Sequence, residues 1–247
     1  MSDAYEFLPG STDAPAFLTC EHASNRFVDA FQLEGDDARL AITHWAFDPG
    51  AEEITRDLAQ ALDAPAVLAR FSRLIVDPNR PLDAPTLFRD IADNLPILFN
   101  LELDDDERRT RIDRFYTPYH EAIGRELARS RAPIVFPIHT FTDDYQGERR
   151  SMEVGVLFDE EEALAEELRA ALAAAGFVVA MNEPWSGKDG LIYSADRHAR
   201  RHGRKALEIE ARQDCAMDPA FRARLVPVLA GFLTEACSRL RGAAARA

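Results

Sequence analysis

A chain of 247 residues that is 47% hydrophobic is long enough for one α/β domain with a sizeable core and too apolar to be wholly disordered. Its formal net charge of −14 argues against nucleic acids and anionic membranes as partners, because both require a basic protein face. No segment approaches the ~20 apolar residues of a membrane-spanning helix. A small anionic substrate is compatible with this charge only where arginines gather inside a cleft.

Residues 1–13 are polar and acidic and contain neither the basic nor the apolar region of a secretory signal. We therefore expect the protein to be cytoplasmic. The three cysteines, Cys20, Cys215 and Cys237, are too few for a disulfide framework, and no CxxC pair is present. This composition excludes a zinc knuckle built from thiolates.

Several short, mainly apolar segments are predicted to form buried strands, and helical patterns separate them. In chain order the strands are Ala16–Cys20, Ala66–Ala69, Ile134–Ile138, Val154–Leu157, Phe177–Met181 and Ala206–Ala211. This alternation indicates a mostly parallel mixed sheet covered on both faces. We predict one three-layer α/β/α domain over residues 1–247, with poorly ordered tails at 1–13 and 243–247.

Amphipathic patterns predict the helices between these strands. Asp48-Pro49 resembles an N-cap followed by proline at the first helical position, and apolar residues then recur at four-residue spacing. Further helices are predicted at Asp104–Arg129 with a kink at Pro118, at Glu160–Ala175 before Gly176, and from Pro219 to about Arg241. The irregular segments 81–100 and 142–152 are predicted to form a rim or lid.

Two histidines and an aspartate are candidates for a metal site. Ligands bind at the carboxyl ends of strands in open α/β sheets, and His22 and His139 each follow a predicted strand. Two imidazoles and a carboxylate are usual protein ligands of an open zinc site. We predict one divalent ion, Zn²⁺, bound by His22, Asp48 and His139.

Other interpretations of these three residues stay open. Each histidine is also compatible with a hydrogen-bonded structural role, and Asp48 with a simple helix cap. Glu21, beside His22, is an alternative third ligand or an outer residue that orients a ligand. No compact HExxH spacing is present to decide between them.

Glu208 and Glu210 lie on one face of the last predicted strand, because side chains alternate along a strand. A charge on a buried strand requires a partner or a function. In metal-assisted hydrolysis, a carboxylate that is not a ligand takes the proton of the water and passes it to the leaving amine. Glu210 has the position for this acid/base role.

Three arginines follow the second predicted strand within eleven residues. The guanidinium fork matches a carboxylate with two parallel hydrogen bonds. We therefore predict that Arg70, Arg73, Asn79 and Arg80 bind a dicarboxylate or an N-acyl amino acid. The alternative is ion pairing with Asp77 and with surface acids.

Arg197 and His198 are predicted to lie in a loop before the Glu210 strand, where either could stabilise an oxyanion. They could equally form a solvated basic turn. Tyr116 and Tyr119 belong to an apolar helical stripe and are expected in the core. His120 lies off that stripe and is a weaker candidate for the cleft.

Together these residues resemble the N-formylglutamate amidohydrolase family, in motifs that span roughly residues 16 to 215. The motifs are Glu21-His22-Ala23-Ser24-Asn25, His44-Trp45-x-x-Asp48-x-Gly50-Ala51, Arg70-x-Ser72-Arg73-x-x-Val76-Asp77-x-Asn79-Arg80-Pro81, Tyr116-x-x-Tyr119-His120, His139-Thr140, Gly190-Leu191-Ile192-Tyr193, Arg197-His198 and Leu207-x-x-Glu210. The resemblance implies a fold similar to zinc-dependent carboxypeptidases and aminoacylases, and a zinc ion bound by the motif histidines. It also implies that the segment 70–80 binds the carboxylates of the substrate. It does not identify a carboxylate that would orient His139.

Three functions are compatible with these residues. The first is zinc-dependent hydrolysis of an N-formyl or short N-acyl amino acid, such as N-formylglutamate, to formate and the amino acid. The second is a metal-free cysteine amidase that uses Cys20 beside His22. The third is a binding protein for an N-acyl amino acid that has lost turnover. We favour the first because the sequence contains every group that hydrolysis needs; it leaves a homo-oligomer open.

Overall fold

The computed structural model describes residues 3–28, 31, 33–145 and 147–244. Within them the strands are β1 (Tyr5–Leu8), β2 (Ala16–Cys20), β3 (Ala66–Ala69), β4 (Ile91–Ala92), β5 (Leu95–Pro96), β6 (Ile134–Phe141), β7 (Asp144–Tyr145), β8 (Glu148–Arg149), β9 (Val154–Leu157), β10 (Val179–Met181), β11 (Lys205–Ala206) and β12 (Glu208–Arg212). The helices are α1 (Gly35–Leu40), α2 (Ala51–Leu62), α3 (Asp105–Arg111), α4 (Thr117–Arg129), α5 (Glu162–Ala174), α6 (Tyr193–His202), α7 (Gln213–Ala216) and α8 (Pro219–Ala244).

A mixed sheet with the strand order β1-β3-β2-β6-β12-β9-β10 forms the centre, and β11 pairs with β6. Its pairs are parallel except for β1 with β3 and β12 with β9. Along β2, Leu18 packs in the core formed with α2, α5 and α8, whereas Phe17 packs in the core formed with α4 and α6. The alternation of buried side chains thus covers both faces, and the predicted three-layer α/β fold is confirmed.

The strand predictions hold where an apolar run is buried on both faces. β2, β3 and β9 have the predicted bounds, and β10 begins two residues later than predicted. β6 continues past the predicted end at Ile138 to Phe141, so His139 lies inside the strand rather than after it. The predicted strand Ala206–Ala211 is divided at Leu207 into two short strands that both pair with β6.

The prediction that Asp48 caps a helix is wrong. α2 begins at Ala51, and its N-cap is Gly50, whose φ of 88° is a left-handed conformation that favours glycine. A Cβ at Gly50 would lie 2.6 Å from the Cβ of Ala216, so the close approach of α7 also requires glycine. The Asp48 side chain is therefore free of a capping role and points to the site described below.

The helical pattern over residues 104–129 is interrupted just before Pro118. A π-helical turn at Ile112–Tyr116 joins α3 to α4, and the Asp104 side chain caps α3 by accepting from the Glu107 N–H. Proline cannot donate a backbone hydrogen bond, and a π-helical turn is one way in which a helix accommodates it. The predicted irregularity therefore lies in the turn that precedes the proline.

The expected N-terminal tail is partly ordered, because Tyr5–Leu8 forms β1 and pairs with β3 along its whole length. The expected C-terminal tail falls mainly on residues 245–247, which lie outside the described part of the chain. None of the described helices combines the length and apolar character required to span a bilayer.

Candidate metal centre and adjoining cavity

Three buried side chains converge near the carboxyl ends of β2 and β6. Asp48 Oδ2 lies 3.3 Å from His22 Nδ1 and 2.9 Å from His139 Nδ1. One potential ligand atom from each residue lies within 4.8 Å of the others. Two imidazole nitrogens and one carboxylate oxygen form a donor set that fits Zn²⁺. The structure thus brings together the three residues predicted to bind the metal.

Local backbone bonds fix this arrangement. The Asp48 N–H donates to the His22 carbonyl at 2.9 Å, which joins the loop before α2 to the end of β2. The Thr140 N–H contacts Asp48 Oδ2 at 3.3 Å, and the Thr140 hydroxyl donates to the Pro49 carbonyl. β6 and the segment 48–49 are therefore held together by the same residues that surround the converging atoms.

The second ring nitrogen of each histidine contacts another buried carboxylate. His22 Nε2 lies 2.9 Å from Asp77 Oδ1, and His139 Nε2 lies 3.1 Å from Glu21 Oε2. Carboxylates in this position orient metal-bound imidazoles and increase their basicity. Glu21 therefore has the geometry of an orienting residue, whereas Asp48 lies where the two Nδ1 atoms meet. Sequence reasoning did not identify Asp77 in this role.

The charges of the histidines and carboxylates stabilise each other. Burial alone would raise the pKa of Asp48, but the charges and hydrogen bonds of His22 and His139 lower it well below its usual range. Burial likewise opposes ionisation of Glu21, yet the hydrogen bond and charge of His139 lower its pKa to about 2. Several ionised carboxylates thus surround two imidazoles, and this favours a cation between them.

Asp77 is held ionised in the same way. Burial raises its pKa, but Arg73 and then His22 lower it to well below the usual range. Arg73 donates to Asp77 Oδ2 at 2.7 Å and lies 3.6 Å from Asp48 Oδ1. Arg73 therefore lies beside the site, as predicted. Its guanidinium group, however, is already paired with two carboxylates of the site.

Glu210 lies beside His139 because β12 and β6 are parallel neighbours in which these two residues are paired. On its other side it faces Gly155 of β9, where a Cβ would lie 2.2 Å from the Glu183 carbonyl oxygen. Glu210 is 6% exposed, and its Oε2 has no hydrogen-bond partner within the described residues. Burial raises its pKa to about 8. A carboxyl group that titrates near neutral pH can both accept and donate a proton.

Glu208 is buried further inside the sheet. Its Oε2 lies 4.0 Å from His139 Nε2, and burial raises its pKa well above the usual value. It does not line the cavity that adjoins the metal ligands, whereas Glu210 does. The two glutamates predicted on one strand therefore differ in access to a substrate.

A cavity of about 290 Å³, here called the main cavity, opens beside the converging atoms. Its lining includes His22, Asp48, His139 and Glu210, together with Arg73, Arg80, Arg89 and Arg150. Arg80, Arg89 and Arg150 have no carboxylate partner among the described residues. Unpaired guanidinium groups beside a cavity are suited to carboxylates.

Aromatic rings hold two of these arginines. The Arg150 guanidinium lies 5.0 to 5.6 Å from the ring centroids of Phe141, Tyr145 and Trp185, and its Nη1 donates to the Thr142 carbonyl. Burial lowers its pKa. Arg89 lies 5.4 Å from the ring centroid of Trp45, and burial lowers its pKa also. Both side chains are fixed by stacking rather than by an ion pair.

Sequence reasoning missed Arg89 and Arg150. Both lie in the two irregular segments that were predicted to form a rim. Arginines are outnumbered by acids in this chain, so an arginine within a predicted rim segment was the signal that could have identified these two residues.

The remaining predicted substrate-binding residues have mixed positions. Arg70 does not line the main cavity; its Nη1 lies 2.9 Å from Glu52 and 3.7 Å from Glu6, so it forms a surface ion-pair network. Asn79 lines the cavity and joins two loops, because its amide donates to the Leu191 carbonyl and accepts from the Ser194 N–H. Arg80 lines the cavity as predicted.

Arg197 and His198 lie on α6, not in a loop. They line a second cavity of about 380 Å³, here called the α4–α6 cavity, whose other lining residues are His120, Glu121, Gly124, Arg125, Ala128, Arg201 and His202. Neither residue lines the main cavity. The geometry therefore does not support an oxyanion role for Arg197 or His198. His120, the weaker candidate for the cleft, likewise lines the α4–α6 cavity and not the main cavity.

Cys20 is fully buried at the end of β2 and does not line the main cavity. Burial raises the pKa of its thiol far above the usual value. A thiolate nucleophile requires the opposite shift. The structure therefore disfavours the cysteine amidase hypothesis.

The comparisons with known proteins point to one family. The family model described as N-formylglutamate amidohydrolase matches residues 14–217. N-formylglutamate deformylase from Pseudomonas putida is 30% identical over 129 residues, which are 47% of this chain and 46% of that protein. N-formylglutamate deformylase from Pseudomonas aeruginosa is 32% identical over 133 residues. The chain thus spans about half the length of the curated relatives it matches.

Solved structures share the whole fold. Gene product Atu2144 from Agrobacterium tumefaciens superposes with a TM-score of 0.85 at 30% identity, and the match covers 96% of each chain. N-formylglutamate amidohydrolase from Ralstonia eutropha JMP134 superposes with a TM-score of 0.71 at 19% identity, covering 98% of this chain and 99% of that one. The second likeness is one of fold.

Proposed function

Because the chain belongs to the N-formylglutamate amidohydrolase family, we propose that it is a metal-dependent amidohydrolase of N-formyl or short N-acyl acidic amino acids. With N-formylglutamate the products are formate and glutamate. The observation that carries this proposal is the convergence of His22 Nδ1, His139 Nδ1 and Asp48 Oδ2 beside a cavity that also contains Glu210. The proposed metal ligands and the proposed proton-transfer group therefore line the same cavity.

We assign His22, Asp48 and His139 as the ligands of one divalent ion, with zinc as the ion best matched to this donor set. Zinc bound by these residues would supply Lewis-acid polarisation of a water molecule and of the scissile carbonyl. Asp77 and Glu21 hold the two imidazole rings so that each directs Nδ1 to the same point.

Glu210 is the proton-transfer group in this proposal. Its carboxylate takes a proton from the water that attacks the acyl carbon. The same carboxyl group then donates that proton to the amine nitrogen as the C–N bond breaks, so no net proton is consumed by the protein. Its pKa of about 8, raised by burial, suits both halves of this transfer near neutral pH.

The arginines of the main cavity bind the carboxylates of the substrate. Arg150, Arg89 and Arg80 lack carboxylate partners in the described part of the chain, and aromatic stacking fixes the first two. A substrate carboxylate would therefore form an ion pair without first breaking one. The arrangement favours an acidic amino acid over a neutral one.

The direct test is hydrolysis of N-formyl-L-glutamate by the zinc-loaded protein and by the Glu210→Gln variant, with zinc content measured in both. We expect the variant to keep its zinc and to lose roughly 10²- to 10⁴-fold in kcat, the usual contribution of a general acid–base group. Glu53→Gln, at an exposed glutamate of α2 that does not line the main cavity, is the control and should keep the wild-type kcat. Tight binding of the substrate by fully zinc-loaded wild-type protein without turnover would instead support the binding-protein hypothesis.

A further inference from the structure

The rim of the main cavity that carries Arg89 has a small apolar core of its own. Five buried residues form this core: Leu40, Ala46, Leu74, Ala92 and Ile97. Trp45, whose ring centroid lies 5.4 Å from the Arg89 guanidinium, packs against it. The core is separate from the two that cover the faces of the central sheet. The position of this rim relative to the sheet therefore depends on a few specific contacts.

The side chain of Asn100 supplies such a contact, and it is only 5% exposed. Its Nδ2 donates to the Leu74 carbonyl at 2.8 Å and to the Arg89 carbonyl at 2.6 Å. Its Oδ1 accepts from Arg111 Nη1 at 2.5 Å. Because Arg111 can only donate, this bond fixes which end of the amide is oxygen and directs both N–H groups to the two carbonyls. Asn100 thus attaches the backbone of Arg89 to Leu74.

The segment 72–75 also holds the aromatic ring beside Arg89. The Ala46 carbonyl, which follows Trp45, accepts from the Ser72 hydroxyl at 2.9 Å and from the backbone N–H of the next residue at 3.1 Å. The same segment leads, two residues later, to the carboxylate that contacts the first of the proposed metal ligands. Both the guanidinium and its stacking partner are therefore positioned from the backbone that adjoins the metal site.

The partner of this amide is a buried charge. Arg111 is 3% exposed, burial lowers its pKa, and its acidic partner Glu107 is 53% exposed. Apolar side chains of similar volume would fill this space at a smaller desolvation cost. What only the polar pair supplies is a directed attachment of two carbonyl groups, one of which belongs to Arg89.

We propose that Asn100 is a positioning residue for substrate specificity, which holds the Arg89 guanidinium where a carboxylate of the substrate meets it while the scissile amide lies at the metal site. This inference rests on the proposed function. Asn100 does not line the main cavity, so it acts through Arg89 and not by contact with the substrate. A guanidinium that is already fixed loses less freedom on binding. Loss of the Asn100 donors should therefore weaken substrate binding and spare the chemical step.

Steady-state hydrolysis of N-formyl-L-glutamate by zinc-loaded Asn100→Asp tests this proposal. The variant keeps the acceptor for Arg111 and the side-chain volume but loses both N–H donors. We expect KM to rise roughly tenfold, as for a weakened charge-assisted hydrogen bond, with kcat and zinc content near those of the wild type. Asn100→Leu, which adds no charge, should show the same rise. Asn94→Asp is the matched control at an exposed residue of the same rim that does not line the cavity, and it should keep the wild-type KM.

A double-mutant cycle separates this role from a merely structural one. If Asn100 acts through Arg89, adding Asn100→Asp to Arg89→Gln should change KM by less than about twofold. An equal rise of KM in both backgrounds, an unchanged KM in Asn100→Asp, or a fall in kcat alone overturns the proposal.

Failure of the proposed function gives a different result. A wild type that binds N-formyl-L-glutamate without hydrolysing it contradicts the proposed function only, and the Kd from isothermal titration calorimetry then replaces KM in the same cycle. A wild type that does not bind this compound contradicts both proposals.

Discussion

The molecule contains two buried pairs of histidines whose pKa values are shifted in different ways by their surroundings. The rings of His22 and His139 are 4.7 Å apart between centroids, and those of His120 and His198 are 5.2 Å apart. The first pair lies among carboxyl groups. Burial opposes protonation of His139, but Glu208 and then Asp48 and Glu21 raise its pKa well above the usual value. In the second pair, burial lowers both pKa values; the charge of Arg197 acts in the same direction and that of Glu21 opposes it.

Both pairs are buried and have closely spaced rings, so these two properties do not distinguish what each pair can bind. Carboxylates at the outer ring nitrogens direct both Nδ1 atoms of the first pair to one point and supply negative charge, which suits a cation. The second pair contacts itself and has no carboxylate partner among the described residues. We therefore propose a metal at the first pair and not at the second.

The strongest test of this difference removes one histidine from each pair. His139→Gln should abolish stoichiometric zinc binding, and hydrolysis of N-formyl-L-glutamate should fall by at least the roughly 10²- to 10⁴-fold expected of Glu210→Gln, because Lewis-acid activation is lost as well. His198→Gln should retain its zinc. Metal analysis by mass spectrometry, with folding checked by circular dichroism, measures both. Full zinc occupancy in folded His139→Gln would remove His139 from the ligand set.

A smaller effect is expected from the carboxylate that orients His139. Glu21→Gln preserves the volume of the side chain but removes its charge from His139 Nε2. Loss of such an outer partner usually costs about 10- to 100-fold in metal affinity or activity, so zinc affinity should fall within that range. Glu53→Gln on α2 is the control for an exposed glutamate. Unchanged zinc affinity in Glu21→Gln would show that the contact at 3.1 Å does not tune the ligand.

Most of the fold could be predicted because it depends on local patterns. The runs at β2, β3 and β9 are apolar throughout and buried, so periodicity alone identifies them. The break at Leu207 could not be predicted, because it depends on how two short strands pair with different parts of β6. The prediction that Asp48 caps α2 failed because Gly50, two residues later and in a left-handed conformation, is the N-cap instead.

Site residues could be predicted where they lie at the end of a predicted strand. Residues whose positions depend on contacts between distant parts of the chain could not. His22, His139 and Glu210 lie near the ends of predicted strands, and the structure brings them together. Arg70 lies outside the main cavity and pairs with Glu6 of β1 and Glu52 of α2, and spacing along the sequence cannot identify these partners. Arg150 was missed because only the folded chain places three aromatic rings around it.

The main cavity should distinguish charged from neutral substrates through Arg150. In Arg150→Gln, the preference of kcat/KM for N-formyl-L-glutamate over N-formyl-L-glutamine should fall by roughly tenfold or more, since a charge-assisted hydrogen bond contributes about 1.5–3 kcal/mol. Arg149→Gln is the matched control: its side chain is 73% exposed and lies 3.8 Å from Asp214. If the wild type hydrolyses both substrates and the variant keeps the same preference, Arg150 does not bind the side-chain carboxylate of the substrate.

The smallest predicted effect concerns stability at acid pH. His120 and His198 have folded-state pKa values of about 3 and about 4, below the ordinary value near 6.5. As pH falls below about 6.5, the unfolded chain therefore takes up protons before the folded one, and the stability present above that pH is lost toward pH 4.

His198→Gln removes one of these groups, so between pH 7 and 5 it should lose less free energy of unfolding than the wild type, by on the order of 1 kcal/mol. Urea unfolding of the zinc-loaded proteins at both pH values measures the difference, in which contributions from the carboxylates cancel. Parallel pH profiles would show that His198 is not held neutral in the folded protein.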